Sequence, residues 1–247
     1  MKILLTNDDG ITSTGLQILA QMLRKEHEVW IVAPDQNRSA VSHSIIMNKP
    51  LKIVKHDDFS FTCSGVPVDC VVHGLNAVLK SKPDVILSGI NFGANLGTDL
   101  LFSGTAAAAR QASLYGIPGI AVSLESSGGM YDFSSLASFT MKNLEHLMSL
   151  CGKDIFVNIN ALSPGPYSEC RLTKPSKRYY NDGVKPFIAP DGQHYSFFAG
   201  GDVETEGDES CDYCVVKKGL VSVSRILAQP SAHPCNDASW EKSCQMS

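Results

Sequence analysis

The chain has 247 residues, 43% hydrophobic and 19% charged, with a net charge of -4. That length buries a large core, and the mild acidity excludes the basic footprint of a nucleic-acid polymer binder. No apolar run is long enough to cross a bilayer and the N-terminus lacks a leader-like apolar stretch, so no membrane partner and a cytoplasmic location are expected.

Apolar residues 2–6 predict a buried strand, halted by Asn7-Asp8-Asp9-Gly10. Leu16, Leu19, Met22 and Leu23 share one face of a helix at about 14–26, with Ser13 or Thr14 as its N-cap. Residues 29–33 form the next strand, closed by Pro34. Strand, helix, strand with short links is the pattern of a parallel sheet. Residues 45–63 leave room for one or two edge strands, and 68–80 repeat apolar residues at helical spacing. A strand at 84–88, an alanine-rich helix at 105–115 closed by Gly116, a strand at 119–124, a helix at 134–150 and a strand at 155–159 continue the alternation.

Beyond residue 162 the periodicity fades. Proline-punctuated, aromatic runs around Tyr179, Tyr180, Tyr195, Phe197 and Phe198 predict a β-rich excursion. A short helix at about 209–217 and a returning strand at 220–224 follow. The expected organisation is an α/β, Rossmann-like three-layer core over 1–162 with a mainly parallel sheet, a β-rich oligomerisation arm over 163–208, and a C-terminal helix, strand and tail over 209–247. The arm is too irregular to fold alone, so its aromatics are expected to bury against further copies of the chain. Deleting it is expected to leave the core's site untouched.

Eight cysteines are scattered along the chain. Cys211 and Cys214 make a lone CxxC, with Cys235 and Cys244 too loosely placed to complete a zinc site, so reduced thiols are expected.

In a doubly wound sheet, ligands bind beyond the C-terminal strand ends. Asp8 and Asp9 follow the first strand, Asn37-Arg38-Ser39 the second, and Gly89-Ile90-Asn91 through Gly97 the strand at 84–88. Ser103-Gly104-Thr105 then opens a helix. This edge gathers carboxylates, a hydroxyl and amides, all oxygen donors of the kind a hard divalent cation takes. A cation would also relieve the repulsion between Asp8 and Asp9, although Asn-Asp-Asp-Gly is good turn chemistry by itself. The helix start at 103–105 suits phosphate, its other reading being a plain N-cap. Neither GxGxxG nor Gly-Lys-Ser/Thr is present. A metal beside a phosphate cradle points to hydrolytic phosphoryl transfer.

Asn7-Asp8-Asp9-Gly10, Asn37-Arg38-Ser39 after Ala33-Pro34, Ser88-Gly89-Ile90-Asn91 with Gly93 and Asn95, and Ser103-Gly104-Thr105 with its alanines together resemble the SurE family of metal-dependent 5'/3'-nucleotidases. The resemblance runs to about residue 225. It implies one divalent cation, Mg2+ or Mn2+, per subunit, held by Asp8, Asp9, Ser39 and Asn95. It places Asn91, Ser103, Gly104 and Thr105 at the phosphate. The substrates implied are nucleoside 5'- and 3'-monophosphates, with short polyphosphate in some members, and the arm builds a homodimer or homotetramer. Asp8 and Asp9 are the candidate catalytic pair, with a metal-activated water as nucleophile. His43 is a candidate general acid, or an ordinary loop histidine. Ala40 and Phe102 stand where the family usually has Gly and Tyr. Two other classes fit fewer features: a non-catalytic nucleotide-binding module, and a Mg2+-dependent phospho-receiver, which lacks its acceptor Asp after the strand at 84–88.

Overall fold

A computed structural model describes residues 1–231. The elements in order are β1 (Lys2–Thr6), α1 (Thr14–Leu23), β2 (Glu28–Pro34), β3 (Ile53–Lys55), β4 (Ser60–Cys63), α2 (Pro67–His73), β5 (Val85–Phe92), α3 (Gly104–Leu114), β6 (Gly119–Glu125), α4 (Phe133–Lys142), α5 (Leu144–Leu150) and β7 (Ile155–Leu162). Then come β8 (Cys170–Thr173), β9 (Lys177–Tyr180), β10 (Val184–Ile188), β11 (His194–Phe198), β12 (Val203–Glu206), α6 (Asp212–Lys217) and β13 (Val221–Leu227).

Nine strands make one sheet in the order β3-β4-β2-β1-β5-β6-β7-β13-β8. From β4 to β7 every pairing is parallel, while β3 and β13 run antiparallel to β4 and β7. Both faces are covered, which is why the strands are near-continuous apolar runs. Ile3 and Leu5 point to the layer of α1, α4 and α5, packing with Leu16, Leu19, Phe133 and Leu147. Leu4 points to the other face, with Val71 of α2 and Ala108 and Ala112 of α3. The alanines let α3 lie close to the sheet: a Cβ on Gly119 would stand 2.0 Å from the Ala109 carbonyl oxygen. The sheet's winding reverses between β1 and β5, so a crevice opens beyond their C-terminal ends.

Three elements differ from expectation. The helix at 68–80 becomes a π turn over Gly74–Val78 before Leu79 extends. The helix at 134–150 breaks at Asn143, whose side chain bonds the Phe139 carbonyl at 2.8 Å and competes with the backbone ladder. Residues 170–173, inside the expected arm, are an edge strand of the main sheet, paired parallel with β13. Their register rests on hydroxyls: Thr173 Oγ1 lies 2.8 Å from Ser222 Oγ and 2.7 Å from Ser224 Oγ. Beyond β8 the arm consists of two antiparallel ribbons, β9 with β12 and β10 with β11. The six described cysteines are free, and Cys235 and Cys244 lie outside the described residues. No described helix is long and apolar enough to cross a membrane.

Candidate active site

The loop after β1 is shaped by Asn7, which is fully buried. Its Nδ2 donates to the Gly10 carbonyl at 2.9 Å and Ser13 Oγ at 2.8 Å, while its Oδ1 accepts the Gly10 N–H at 3.2 Å. Asn7 is therefore the turn residue, which leaves the two acids after it free to point elsewhere.

Asp8 points at the N-terminus of α3. Thr105 Oγ1 donates to its Oδ1 at 2.5 Å and the Thr105 N–H to its Oδ2 at 3.2 Å. The helix start thus holds a carboxylate of the protein itself, as its unpaired N–H groups and dipole favour. Burial still raises the Asp8 pKa, against the Thr105 hydroxyl and the N–H groups at 104 and 105, which lower it. Gly104 permits the approach: a Cβ there would lie 3.0 Å from Asp8 Cβ and 3.0 Å from Pro67 Cγ. Asp9 turns toward β5 and accepts the Phe92 N–H at 3.2 Å. Burial first, then the Asp8 charge, push its pKa up to about 6. Neither carboxylate has an ion-pair partner among the described residues.

Ser39 is joined to this pair through its neighbour, since the Arg38 N–H donates to the Asp8 carbonyl at 2.7 Å. Its own N–H and hydroxyl both donate to Asn37 Oδ1, at 2.8 and 2.7 Å. That leaves the Ser39 oxygen lone pairs unused. The same loop reaches α3 again where the Ser42 N–H meets the Phe102 carbonyl at 2.9 Å. Ala40 has φ 57°, a left-handed backbone that favours glycine.

Asn95 is fastened to β6 and β7 through Ser123, Asn158 and Asn160. Asn91 folds onto its own loop, its Nδ2 donating to the carbonyls of Phe92 (3.2 Å) and Gly93 (2.9 Å). Ser103 caps α3, its Oγ accepting the Ala106 N–H at 3.0 Å. Its hydroxyl proton remains available. The structure thus ties Asp8, Asp9, the 38–39 turn, Gly104 and Thr105 together directly. Asn91 and Thr105 have their donors committed within the protein.

His43 stands apart from the acids. Its Nε2 lies 2.8 Å from Gln111 Oε1 on α3, and burial lowers its pKa.

Two further carboxylates were not singled out by the sequence. Asp99 pairs with Arg178 Nη1 at 2.6 Å, accepts the Tyr180 hydroxyl and takes the Leu96 N–H at 3.1 Å. Asp212, fully buried, accepts the N–H groups of Gly97 (2.7 Å) and Ser176 (2.8 Å). Both fasten the turn between Asn95 and Ser103 to the root of the arm. The only sequence signal was the placing of Asp212 inside the CxxC.

A buried and a half-buried carboxylate, neither ion-paired among the described residues, at the switch point of a parallel sheet whose neighbouring loops carry hydroxyl and amide oxygens, suit one hard divalent cation. Residues 3–182 match the family described as Survival protein SurE. The chain is 39% identical over 240 residues to the 5'-nucleotidase SurE of Thermosipho melanesiensis, covering 92% of this chain and 91% of that protein. Against the 5'-nucleotidase SurE of Thermoanaerobacter pseudethanolicus the identity is 40% over 235 residues, with 92% of each chain covered. The crystal structure of the SurE protein from Aquifex aeolicus matches with a TM-score of 0.80 at 33% identity, covering 94% of this chain and 95% of that one. The family match, the fold and the likeness over nearly the full length agree, and the chain belongs to the SurE family.

Proposed function

We propose that this chain is a 5'-nucleotidase: a metal-dependent phosphomonoesterase that releases phosphate from nucleoside 5'-monophosphates, with 3'-monophosphates and short polyphosphate as further substrates. The nucleotidases named among its relatives support the reaction class. The observation that carries the chemistry is the adjacent pair of Asp8, held at the start of α3, and Asp9, held by the Phe92 N–H, with no ion-pair partner for either among the described residues.

Asp8, Asp9, Ser39 and Asn95 are the proposed ligands of one Mg2+ or Mn2+ per subunit. When bound, such a cation lowers the pKa of water and offsets phosphoryl charge. The protein's own work is positioning. Thr105 and the N–H groups at the start of α3 orient Asp8, and the Phe92 N–H orients Asp9. Ser103 has a hydroxyl proton to give a phosphoryl oxygen, and Gly104, with Asn91 and Thr105 whose own donors are engaged within the protein, completes the proposed lining of the phosphate site. Donors aimed at developing charge are the largest usual source of such rate enhancement.

The working form is a homodimer or homotetramer assembled through the arm. Val184, Ile188, Phe197 and Phe198 are each more than 60% exposed, more apolar surface than a short ribbon ordinarily leaves in water. The test is phosphate release from AMP, 3'-AMP and tripolyphosphate, with Mn2+, with Mg2+ and with chelator. Metal-dependent release from AMP is expected. No release under any of these conditions would overturn the reading in favour of a binding module.

A further inference from the structure

Asn95 is held by more of the protein than a loop residue needs. Its N–H donates to Asn160 Oδ1 at 2.8 Å, and its carbonyl accepts Asn158 Nδ2 at 2.9 Å and Asn160 Nδ2 at 3.1 Å. Its side-chain Nδ2 donates to Ser123 Oγ at 2.8 Å. Asn158 and Asn160 sit two residues apart on β7 and so share a face, and Ser123 lies opposite Asn160 in the β6–β7 register. All three are fully buried, in strands whose other buried residues are apolar.

Polar groups buried in a sheet core cost free energy unless each finds a partner. Here the partners converge on one residue more than sixty positions away along the chain from Asn158 and Asn160. The result is specific. Every polar atom of Asn95 is engaged by the protein except Oδ1. An amide whose NH2 is fixed inward has only its oxygen left to offer, and an amide oxygen is a hard-cation ligand.

We propose that Ser123, Asn158 and Asn160 are positioning residues that hold Asn95 with its side-chain oxygen, and not its NH2, toward the cation. This rests on the reading of Asn95 as a metal ligand. A freely rotating asparagine would present the wrong end of its amide for part of the time. Ser123 engages the NH2 itself, while Asn158 and Asn160 fix the backbone from which the side chain projects, as partners behind a ligand commonly do.

The experiment is Mn2+ titration by calorimetry on the full chain, together with thermal unfolding and AMP hydrolysis. It compares the wild type with Ser123→Ala, Ser123→Thr, Asn160→Ala and Asn95→Ala. Ser123→Ala is expected to weaken Mn2+ binding about ten- to a hundredfold. Its kcat should return close to wild type once Mn2+ saturates, and Ser123→Thr, which keeps the hydroxyl, should bind Mn2+ nearly as the wild type does. Asn160→Ala should act in the same direction; if it fails to fold, Ser123→Ala alone decides. A lower melting temperature in Ser123→Ala with unchanged Mn2+ affinity overturns the proposal and leaves a structural clamp. Undiminished Mn2+ affinity in Asn95→Ala overturns it by removing Asn95 as a ligand, while the phosphatase reading stands. A wild type that neither binds Mn2+ nor hydrolyses AMP overturns both.

Discussion

The Thr105 hydroxyl donates to Asp8 Oδ1 at 2.5 Å, across a sequence separation of 97 residues. This short bond makes Thr105 a holder of the acid before it is a phosphate contact. Thr105→Val keeps the shape and removes the donor. It should lower the free energy of unfolding by about 1.5–3 kcal/mol, the worth of a hydrogen bond to a charged group. AMP hydrolysis should fall as well, while Thr105→Ser retains both. Urea unfolding beside AMP hydrolysis checks this, and equal stability of Thr105→Val and wild type would show the bond to be dispensable.

Asp9 is destabilised by burial and by its neighbour's charge. Asp9→Asn should therefore leave the metal-free protein as stable as wild type or slightly more so. The wild type should gain about 2.7 kcal/mol when free Mn2+ is a hundred times its dissociation constant. The variant should lose most of that gain and nearly all activity. Thermal unfolding with and without Mn2+ separates the two effects, and a fully active Asp9→Asn would leave the acid pair as an ordinary turn.

Gly104 touches the site more closely than its place in a phosphate loop implies. A Cβ there meets Asp8 and Pro67 at 3.0 Å, so Gly104→Ala should displace Asp8 itself. A misplacement of that kind costs on the order of a hundredfold in rate. Because Asp8 moves, Mn2+ affinity should fall together with kcat/KM. Activity within threefold of wild type would mean that the loop yields without harm.

The arm's outward aromatics predict the oligomeric state. Light scattering at micromolar concentration should show a dimer or larger. Replacing Phe197 and Phe198 together by Asp should shift the population toward monomer without unfolding the core, because both side chains lie on β11, outside the main sheet. A wild type that is wholly monomeric contradicts the assembly proposed for the arm.

Ala40 carries a left-handed backbone at φ 57°. That conformation costs a residue with a Cβ roughly 1–2 kcal/mol, and glycine's extra freedom in the unfolded chain returns about 0.4–1. Ala40→Gly should accordingly raise stability by up to about 1 kcal/mol. A melting temperature below wild type would show that the loop's own contacts, and not its backbone, decide.

Much of this site was legible because its residues stand where apolar strands stop. Asp8 and Asp9 follow β1, Asn91 lies at the end of β5 and Asn95 just beyond it, and a parallel sheet brings those ends together whatever its loops contain. Partner choice was less legible. Nothing near Thr105 in sequence says that its hydroxyl meets Asp8 and not a ligand. Asn158 and Asn160 passed as blemishes in an apolar strand, since their reason for being polar lies in Asn95. Asp99 and Asp212 are ordinary acids until the chain folds and brings backbone N–H groups to them. The edge strand β8 escaped because its side chains are mostly exposed, leaving no alternation to read.

The turn from Asn95 to Ser103 has a proposed cation ligand at one end and a helix start at the other, and its middle is bolted to the arm. Asp99 takes Arg178 and Tyr180 from β9, and Asp212 takes the N–H groups of Gly97 and Ser176 at once. Gly97 leaves no gap at the joint, for a Cβ there would lie 2.0 Å from the Ser176 carbonyl oxygen. The root of the arm is therefore a brace for the turn that carries Asn95. Cutting out 163–208 would take Ser176, Arg178 and Tyr180 with it, loosening the turn that carries Asn95 and removing β8 from the sheet. The proposed assembly and the proposed chemistry should therefore be separable only at the arm's tip, in β10 and β11, which make no pairing with the main sheet.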